Sequence, residues 1–196
     1  GVVTAMEFQL HELPGEIFAG FLLHHPDRAR EALIALRDAQ LNGPDELALG
    51  LMFMTAPDEE EIPQDLRGKL CILIAGMYAG DVAAGEDALR GIREFAEPAV
   101  DFFGPTTYAD FQCSLDDPPG FRNYWTAENL VEVPDEAIDA IVERSAHLPL
   151  GGANQVFIVC WGGAVEDGVE GSPLAGRDTK MVVHPLLAWE DSAQDE

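Results

Sequence analysis

The sequence predicts an α+β domain in which a mainly antiparallel sheet of six to eight strands has helices packed on one face. Three observations indicate this class. Segments with strand-like alternation adjoin one another in the sequence, as they do in antiparallel hairpins. Three other segments have apolar residues at helical spacing on one side only, and no linker divides the chain. We therefore expect residues 1–196 to form a single domain.

Four strands and two helices are expected in the first half of the chain. Residues 2–11 alternate between apolar and polar side chains, which is typical of a half-buried strand. Pro26 and Asp81 stand where two helical patterns begin, and both residue types are favoured at helix starts. Residues 56–68 contain a run of acidic side chains and are expected to form a solvated connection. In order, the elements are strands at 2–11 and 16–25, a helix at 26–40, strands at 46–55 and 69–78, and a helix at 81–97.

The second half is expected to add three strands and two helices. The Asp-Pro-Pro-Gly sequence at 117–120 predicts a turn, and the Gly-rich residues 165–178 predict a loop. Pro185 has no backbone N–H, so the last strand is expected to lie at an edge or to be bulged there. In order, the elements are a short helix within 105–116, a strand at 122–132, a helix at 134–147, and strands at 154–161 and 180–189.

The chain is strongly acidic, with 36 Asp and Glu against 11 Lys and Arg and a net charge of −25. Such a surface repels phosphate groups, which argues against partners such as nucleic acid or an anionic membrane. No apolar run is long enough to span a bilayer, and no basic segment precedes an apolar one, so we predict a cytoplasmic protein. The scarcity of lysine leaves two explanations open, a salt-loving source or an ordinary acidic bacterial protein.

Familiar catalytic and metal-binding motifs are missing from the sequence, including paired CxxC motifs and Gly-rich nucleotide loops. His24 and His25 are neighbours on a predicted strand, so they point to opposite faces and we predict no metal site. Cys71 and Cys160 lie within apolar runs and are expected to be buried thiols in a reducing compartment. Cys160 and His184 are not expected to act as nucleophile and base, because no third group is available to orient them.

The last two strands contain the most informative side chains. Gln155, Phe157 and Trp161 share one face of the strand at 154–161, and small aliphatic residues on its other face suit packing under helices. An amide and two aromatic rings are unusual on a solvated face and suit a flat ligand or a partner domain. Pairing of the two strands would add His184 to this face. An aromatic surface without chemistry is the alternative.

Five segments follow one another in a defined order: GVVTAMEFQLHELP, GPTTYADFQCSLD, RNYWTAENLVEVPDEAIDAIVE, WGGAV and GRDTKMVVHPLLAWED. Together they resemble the middle part of bacterial FAD-linked oxidases of the berberine-bridge-enzyme type. The resemblance covers essentially the whole chain, although no single motif in it is strict. The opening segment is similar to the strand that leaves the FAD domain in this family.

The resemblance implies a function for the chain. It would be the substrate-binding domain of an FAD-dependent oxidoreductase that transfers a hydride from an alcohol, amine or similar small molecule to flavin, with oxygen as acceptor. The cofactor FAD would be held mainly by segments outside residues 1–196, which form the partner FAD-binding domain of the same protein. Because the sequence does not begin with Met, we expect it to be a piece of a longer protein. By itself it is expected to be inactive.

The resemblance also implies the site residues. His184 stands where the family presents a polar side chain to the flavin, so it is the candidate catalytic base within this chain. The alternative is a base supplied by segments outside residues 1–196. Thr126 and Gly176 replace a Lys and a His that are common in the family, and Val182 cannot act as a base. These departures leave a second hypothesis open, a free-standing α+β binding or dimerisation module without catalytic activity. The candidate substrate-binding residues are Trp161, Gln155, Tyr124 and Trp125.

Overall fold

A computed structural model describes residues 1–116, 119–151, 153–167 and 175–195. The turn expected at 117–120 and the loop expected at 165–178 lie partly outside these residues. The strands are β1 (Ile17–His24), β2 (Leu47–Thr55), β3 (Leu70–Tyr78), β4 (Val100–Asp101), β5 (Gly104–Thr106), β6 (Arg122–Trp125), β7 (Glu128–Leu130), β8 (Gln155–Cys160) and β9 (Met181–Trp189). The helices are α1 (Ala29–Asn42), α2 (Val82–Glu94), α3 (Tyr108–Cys113), α4 (Asp135–Ser145) and α5 (Ala164–Asp167), with 3-10 turns at Pro26–Arg28 and Ser192–Gln194.

The nine described strands form one sheet in the order β4–β1–β3–β2–β8–β9–β6, with β5 also paired to β1 and β7 also paired to β9. Every pair is antiparallel. The α+β class and the mainly antiparallel sheet are therefore confirmed. The strands number nine because β4 and β5 are too short for periodicity to detect, and because the strand expected at 122–132 is interrupted to give β6 and β7.

Helices α1, α2 and α4 cover one face of the sheet, which we call the helix face. Their apolar stripes pack on residues such as Leu51, Phe53, Ile74 and Ile158 to form the largest core cluster. Burial of this apolar area is the main source of stability for such an arrangement. Helices on one face are thus confirmed for α1, α2 and α4. The helix residues in this core are Ala29, Ala32, Leu33, Leu36, Leu89, Ile92, Ile138 and Ile141.

Local signals explain where the helices begin and how two of them are joined. The Asp81 carboxylate accepts hydrogen bonds from the N–H groups of Ala83 and Ala84 at 2.9 and 3.2 Å, so it caps α2 as its residue type predicts. Helices α1 and α4 are linked by Arg37, which donates to the Asp135 carboxylate at 2.8 Å and to the Val133 carbonyl at 3.0 Å. These contacts hold α4 against α1 over the helix face.

The prediction of a strand at residues 2–11 is wrong. Residues 1–14 have no secondary structure and are exposed, and Met6, Phe8 and Leu10 are all at least two-thirds exposed. The alternating pattern is present, but no strand within the described part of the chain pairs with it. A strand needs a neighbour for its backbone hydrogen bonds, so the pattern alone does not make one.

Pro185 interrupts a ladder inside the sheet, and the expectation of an edge strand is wrong. Strand β9 lies between β8 and the pair β6 and β7. The Thr126 N–H donates to the Pro185 carbonyl at 3.2 Å, but Pro185 has no N–H to return to Thr126. The registers of β6 and β7 on β9 are in phase with each other. The missing bond therefore leaves a gap between two collinear short strands and no bulge.

The buried cysteines and His24 behave as apolar or neutral groups. Burial raises the pKa of both the Cys71 and the Cys160 thiols to about 12, so they stay protonated at neutral pH. His24 is 1% exposed on the helix face, while the exposed His25 lies 3.6 Å from the Asp65 carboxylate. The two neighbouring histidines are thus separated, as alternation predicts. Among the described residues, no helix has the length and apolar character needed to cross a membrane.

Candidate functional site

The second face of the sheet is only partly covered, and we call it the open face. Directly paired residues of an antiparallel sheet share a face, so the registers of six strands place side chains in rows across it. One row crosses the sheet from β1 to β9, and the next crosses it from β3 to β6. The first row contains Leu23, Leu73, Met52, Phe157 and His184. The second contains Cys71, Met54, Gln155, Leu186 and Trp125.

Three of the candidate site residues come together at the β8–β9–β6 end of these rows. The imidazole of His184 lies opposite Phe157, and its ring centroid is 5.3 Å from that of Trp125. Gln155 is the diagonal neighbour of His184, because Gln155 pairs with Leu186. An amide, an imidazole and an indole therefore share one surface. The alternation in the last two strands predicted Gln155 and His184 on this face, but the indole that it predicted beside them was that of Trp161.

Trp161 and Tyr124 do not join this group. Trp161 follows β8 and is half-buried, and its backbone N–H donates to the Lys180 carbonyl at 2.9 Å. Alternation places it on the open face, but about 13 Å along the strand from Phe157 at about 3.3 Å per residue. Tyr124 pairs with Leu187, so it lies on the helix-face side of the sheet edge and is 63% exposed. Neighbours in sequence on a strand point to opposite faces, so Tyr124 and Trp125 cannot line one pocket.

Gly50 shapes the centre of the open face. A Cβ atom at this position would lie 2.9 Å from Cε2 of Phe157 and 3.2 Å from the Ile158 carbonyl oxygen. The ring of Phe157 therefore packs directly against the backbone of β2, which only a glycine at this position permits. As a result, no side chain projects from position 50, and the surface beside His184 is apolar and formed by the Phe157 ring.

A pocket of about 390 Å³ adjoins this surface on the β1–β2 side. Its floor is formed by open-face residues of β1, β2, β3 and β8, including Gln155. One wall is the connection 56–68, and another is the segment that follows α3. The expectation that 56–68 is only a solvated connection is wrong for its apolar residues. Ile62 and Leu66 are buried against Leu23 and Cys71, because they cover an apolar part of the open face.

Most of this pocket could not be predicted from the sequence. Its apolar lining comes from elements far apart in the chain, so no local motif marks it. A partial signal exists in β2, where Met52 and Met54 alternate on the same face, since methionines are frequent at adaptable binding surfaces. The apolar lining residues are Phe21, Leu23, Met52, Met54, Pro57, Ile62, Leu73, Phe102 and Leu115.

Neither a Cys–His catalytic pair nor a metal site is formed by the described residues of this region. Cys160 lies in the helix-face core while His184 lies on the open face, so the two cannot act together, as expected. Within residues that the structure describes, no three His, Cys, Asp or Glu side chains are grouped so as to hold a metal ion. The open face therefore offers apolar contact, hydrogen bonding and one imidazole.

No protein-family model matches the sequence, and no curated protein matches it. Solved structures do match. One is 6-hydroxy-D-nicotine oxidase from Arthrobacter nicotinovorans, with a TM-score of 0.69 and 16% identity over 95% of this chain and 41% of that one. Another is BBE-like protein 28 from Arabidopsis thaliana, with a TM-score of 0.68 and 15% identity over 90% of this chain and 38% of that one.

A third match is a variant of berberine bridge enzyme in complex with (S)-reticuline, with a TM-score of 0.69 and 12% identity over 93% of this chain and 37% of that one. This chain thus spans well under half the length of the proteins that it matches. Their agreement in topology over nine-tenths of this chain confirms, at the level of fold, the resemblance indicated by its five ordered segments. The chain has the fold of the corresponding domain of berberine-bridge-enzyme-like oxidases.

Proposed function

We propose that the chain is the substrate-binding domain of an FAD-dependent oxidoreductase, and that its open face lies over a flavin held by other segments of the protein. The observation that supports this most directly is the grouping of Gln155, His184 and Trp125 on the sheet face that α1, α2 and α4 leave uncovered. The shared fold supports it too, since one of the matching structures is an oxidase by name. Fold alone does not carry function, so the proposal depends on this site.

The open face fits a flat ring system with polar edges. Gly50 has no side chain to project from the centre of this surface, and a Cβ atom there would collide with the Phe157 ring. Phe157 and Val159 are half-buried there and provide apolar contact. Gln155 and His184 provide hydrogen-bonding groups beside it. These residues would contact the flavin ring, while its nucleotide part would be held elsewhere.

Bound FAD would supply a two-electron acceptor, which takes a hydride from the substrate carbon. The residues of this chain would orient the substrate and exclude water from it. His184 would accept the proton that the substrate alcohol or amine releases, at whichever ring nitrogen is unprotonated. Trp125 would fix the plane of that imidazole by its edge contact. An alcohol, an amine or a similar small molecule as substrate, and oxygen as the final acceptor, are parts of this proposal.

Absorption spectroscopy of the protein that contains this chain tests the proposal. We expect the purified protein to show the two visible absorption bands of an oxidised flavin, and a substrate to bleach the longer-wavelength band without oxygen. Air should then restore that band. The 196-residue chain by itself should bind FAD weakly or not at all and should have no activity.

A colourless protein that takes up no FAD would contradict the proposal. It would instead favour the hypothesis of a binding or dimerisation module. Sedimentation of that colourless protein would then test dimerisation, since a module of this kind should sediment as a homo-oligomer.

A further inference from the structure

The two edges of the sheet are built differently. At one edge, β4 and β5 have two and three residues, and Pro105 of β5 has no N–H to offer. Short strands and proline protect an edge against pairing with another chain. At the other edge, β6 and β7 form one collinear run over 122–130 without proline, and residues 122–129 are exposed. This second edge, which we call the β6–β7 edge, has neither form of protection.

The backbone of the β6–β7 edge presents hydrogen-bonding groups to the outside. The N–H and C=O groups of successive residues in an antiparallel strand point alternately to its two sides. The Thr126 N–H donates to the Pro185 carbonyl of β9. The backbone groups of the alternate residues Asn123, Trp125 and Ala127 therefore point away from β9. No strand among the described residues lies on that outer side, so a further strand can pair there.

The side chains of this edge are complementary to those of a second copy of the chain. Arg122 and Glu128 are the charged residues of the run, and they lie toward its two ends. Nε and Nη2 of Arg122 donate to the Asp195 carboxylate, which leaves Nη1 as a donor for another carboxylate. Between the two charges are exposed aromatic rings, those of Tyr124 and Trp125. An antiparallel copy therefore brings the positive end of one edge to the negative end of the other.

We propose that this edge is a dimer interface, in which two copies of the chain pair their β6–β7 edges antiparallel about a twofold axis at Trp125. In this register Arg122 of each copy lies opposite Glu128 of the other, because both are three residues from Trp125. The outward backbone groups of Asn123 then lie opposite those of Ala127, and those of Trp125 lie opposite its own copy. Charge and hydrogen bonding thus agree on one register, which joins the two sheets into one.

The charge of the chain favours contact at this edge over other parts of the surface. The net charge of −25 makes two copies repel each other over most of their area. The β6–β7 edge is neutral by count, because it has one cation and one anion, and each faces its opposite in the dimer. A partner with a basic surface is attracted by the whole acidic chain and has no special fit to this edge. A second copy is therefore the occupant that the edge itself selects.

The same register places the dimer contact beside the proposed site. Directly paired residues share a face, so the open faces of both copies lie on one side of the joined sheet. The indole of Trp125, whose ring centroid is 5.3 Å from that of His184, then lies next to the indole of the second copy. The second copy thus supplies an aromatic ring at the border of this site. The inference does not depend on the function proposed for the open face.

Sedimentation equilibrium of the purified protein that contains this chain, at physiological salt, tests the interface. We expect a monomer–dimer equilibrium. Arg122→Glu places like charges opposite each other at both ends of the interface and should weaken the dimer at least about tenfold, and Glu128→Arg should do the same. The two changes together exchange the charges and should restore the dimer. Both positions are exposed, so no core contact is lost.

Arg90→Glu is the matched control. It makes the same charge change at an exposed position of α2 and also breaks an ion pair within the chain, that with Asp87. This variant should keep the dimer. Equal weakening by Arg90→Glu would show that only the total charge matters, and failure of the double variant to restore the dimer would exclude the register. An unaltered protein that is monomeric at every concentration would exclude the interface. Each of these results overturns the inference.

Cysteine cross-linking tests the register without any change of charge. In a Cys113→Ser background, which removes the exposed native thiol, Trp125→Cys should form a disulfide-linked dimer with oxidised glutathione. Directly paired Cα atoms of an antiparallel ladder are about 5.5 Å apart, within the span of a disulfide. Asn123→Cys is the control on the same face, because its two copies lie about 13 Å apart along the strands at about 3.3 Å per residue. Equal yields from the two variants would overturn the inference.

The outcomes separate this inference from the proposed function. A yellow protein that stays monomeric keeps the oxidoreductase function and overturns the dimer. A colourless protein that dimerises through this edge keeps the dimer and overturns the oxidoreductase function.

Discussion

The indole of Trp125 meets the imidazole of His184 edge to face, with ring centroids 5.3 Å apart and planes inclined at 73°. The two residues are on neighbouring strands, β6 and β9, and they are diagonal neighbours on one face, because Trp125 pairs with Leu186, two residues from His184. The indole therefore lies on the side of the imidazole that is nearer the sheet edge, and Phe157 lies on the opposite side. In the proposed function, this contact would orient the imidazole of the base.

Replacement of His184 by Ala in the flavin-loaded protein should lower turnover by about 100-fold or more, because general bases contribute factors of that size. The pH profile of turnover should change as well, because the variant lacks the proposed proton acceptor. Steady-state kinetics across pH measure both effects. His25→Ala is the matched control, because His25 is an exposed histidine outside the group formed by Gln155, His184 and Trp125. An unchanged profile would remove His184 from the mechanism.

Replacement of Trp125 by Leu tests positioning separately from proton transfer. It should lower kcat by about tenfold with little change in KM, because the imidazole remains but is less well held. The shape of the pH profile should be retained, which distinguishes this variant from His184→Ala. Tyr124→Leu is the control, since Tyr124 lies on the other side of the sheet. Equal effects of the two replacements would argue against a positioning contact.

Two glycine-to-alanine changes should shift stability in opposite directions. Gly50→Ala forces Phe157 away from β2 and should lower the free energy of unfolding by about 1–3 kcal/mol. Gly91 is inside α2 with nothing within 4 Å of a Cβ atom, so Gly91→Ala should raise it by about 0.5–1 kcal/mol. Urea unfolding measures both values. A neutral Gly50→Ala would mean that Phe157 is not confined by β2.

The stability of the chain should fall on mild acidification because of His24. Burial, and then the positive charges of Arg28 and His25, lower the pKa of His24 from 6.5, and neither ring nitrogen has a hydrogen-bond partner among the described residues. The unfolded chain therefore binds a proton more readily than the folded one. Stability from this group is complete above about pH 6.5 and is lost as pH falls toward the lowered folded pKa.

The slope from one such group is at most about 1.4 kcal/mol per pH unit. The His24→Leu variant should lack this component, and the difference between the two proteins isolates it from the titration of carboxylates. Urea unfolding at a series of pH values measures it. Parallel curves for the two proteins below pH 6.5 would contradict the prediction.

Salt should raise the melting temperature if the acidic surface is an adaptation to high salt. The net charge is −25, and repulsion among exposed carboxylates opposes the compact state until salt screens it. Differential scanning calorimetry from low to molar potassium chloride measures the response. Sucrose at matched osmolality is the control for preferential exclusion. A flat response in salt would favour an ordinary acidic protein.

The periodicity of apolar residues predicted most of the helices and strands, because each of these elements turns one apolar side toward the core. The helix stripes of α1, α2 and α4 and the alternation of β8 and β9 are visible in the sequence, and so is the assignment of Gln155 and Phe157 to one face. The strand at 2–11 shows the limit of the same signal. Its apolar and polar residues alternate as they would in a strand. A strand also needs hydrogen bonds to a neighbouring strand, and its own residues do not specify that neighbour.

The sequence by itself determined the acidic surface, the fold class, the faces of the last two strands and the ordered resemblance to an oxidase family. Only the tertiary structure decided which strands are neighbours, and therefore that Trp125 contacts His184, that Tyr124 lies on the opposite face, and that the connection 56–68 and the segment after α3 line one pocket. Side-chain direction along a strand is a local property of the backbone, so sequence reports it. Proximity between strands follows from the packing and register of the whole sheet, which no local pattern specifies.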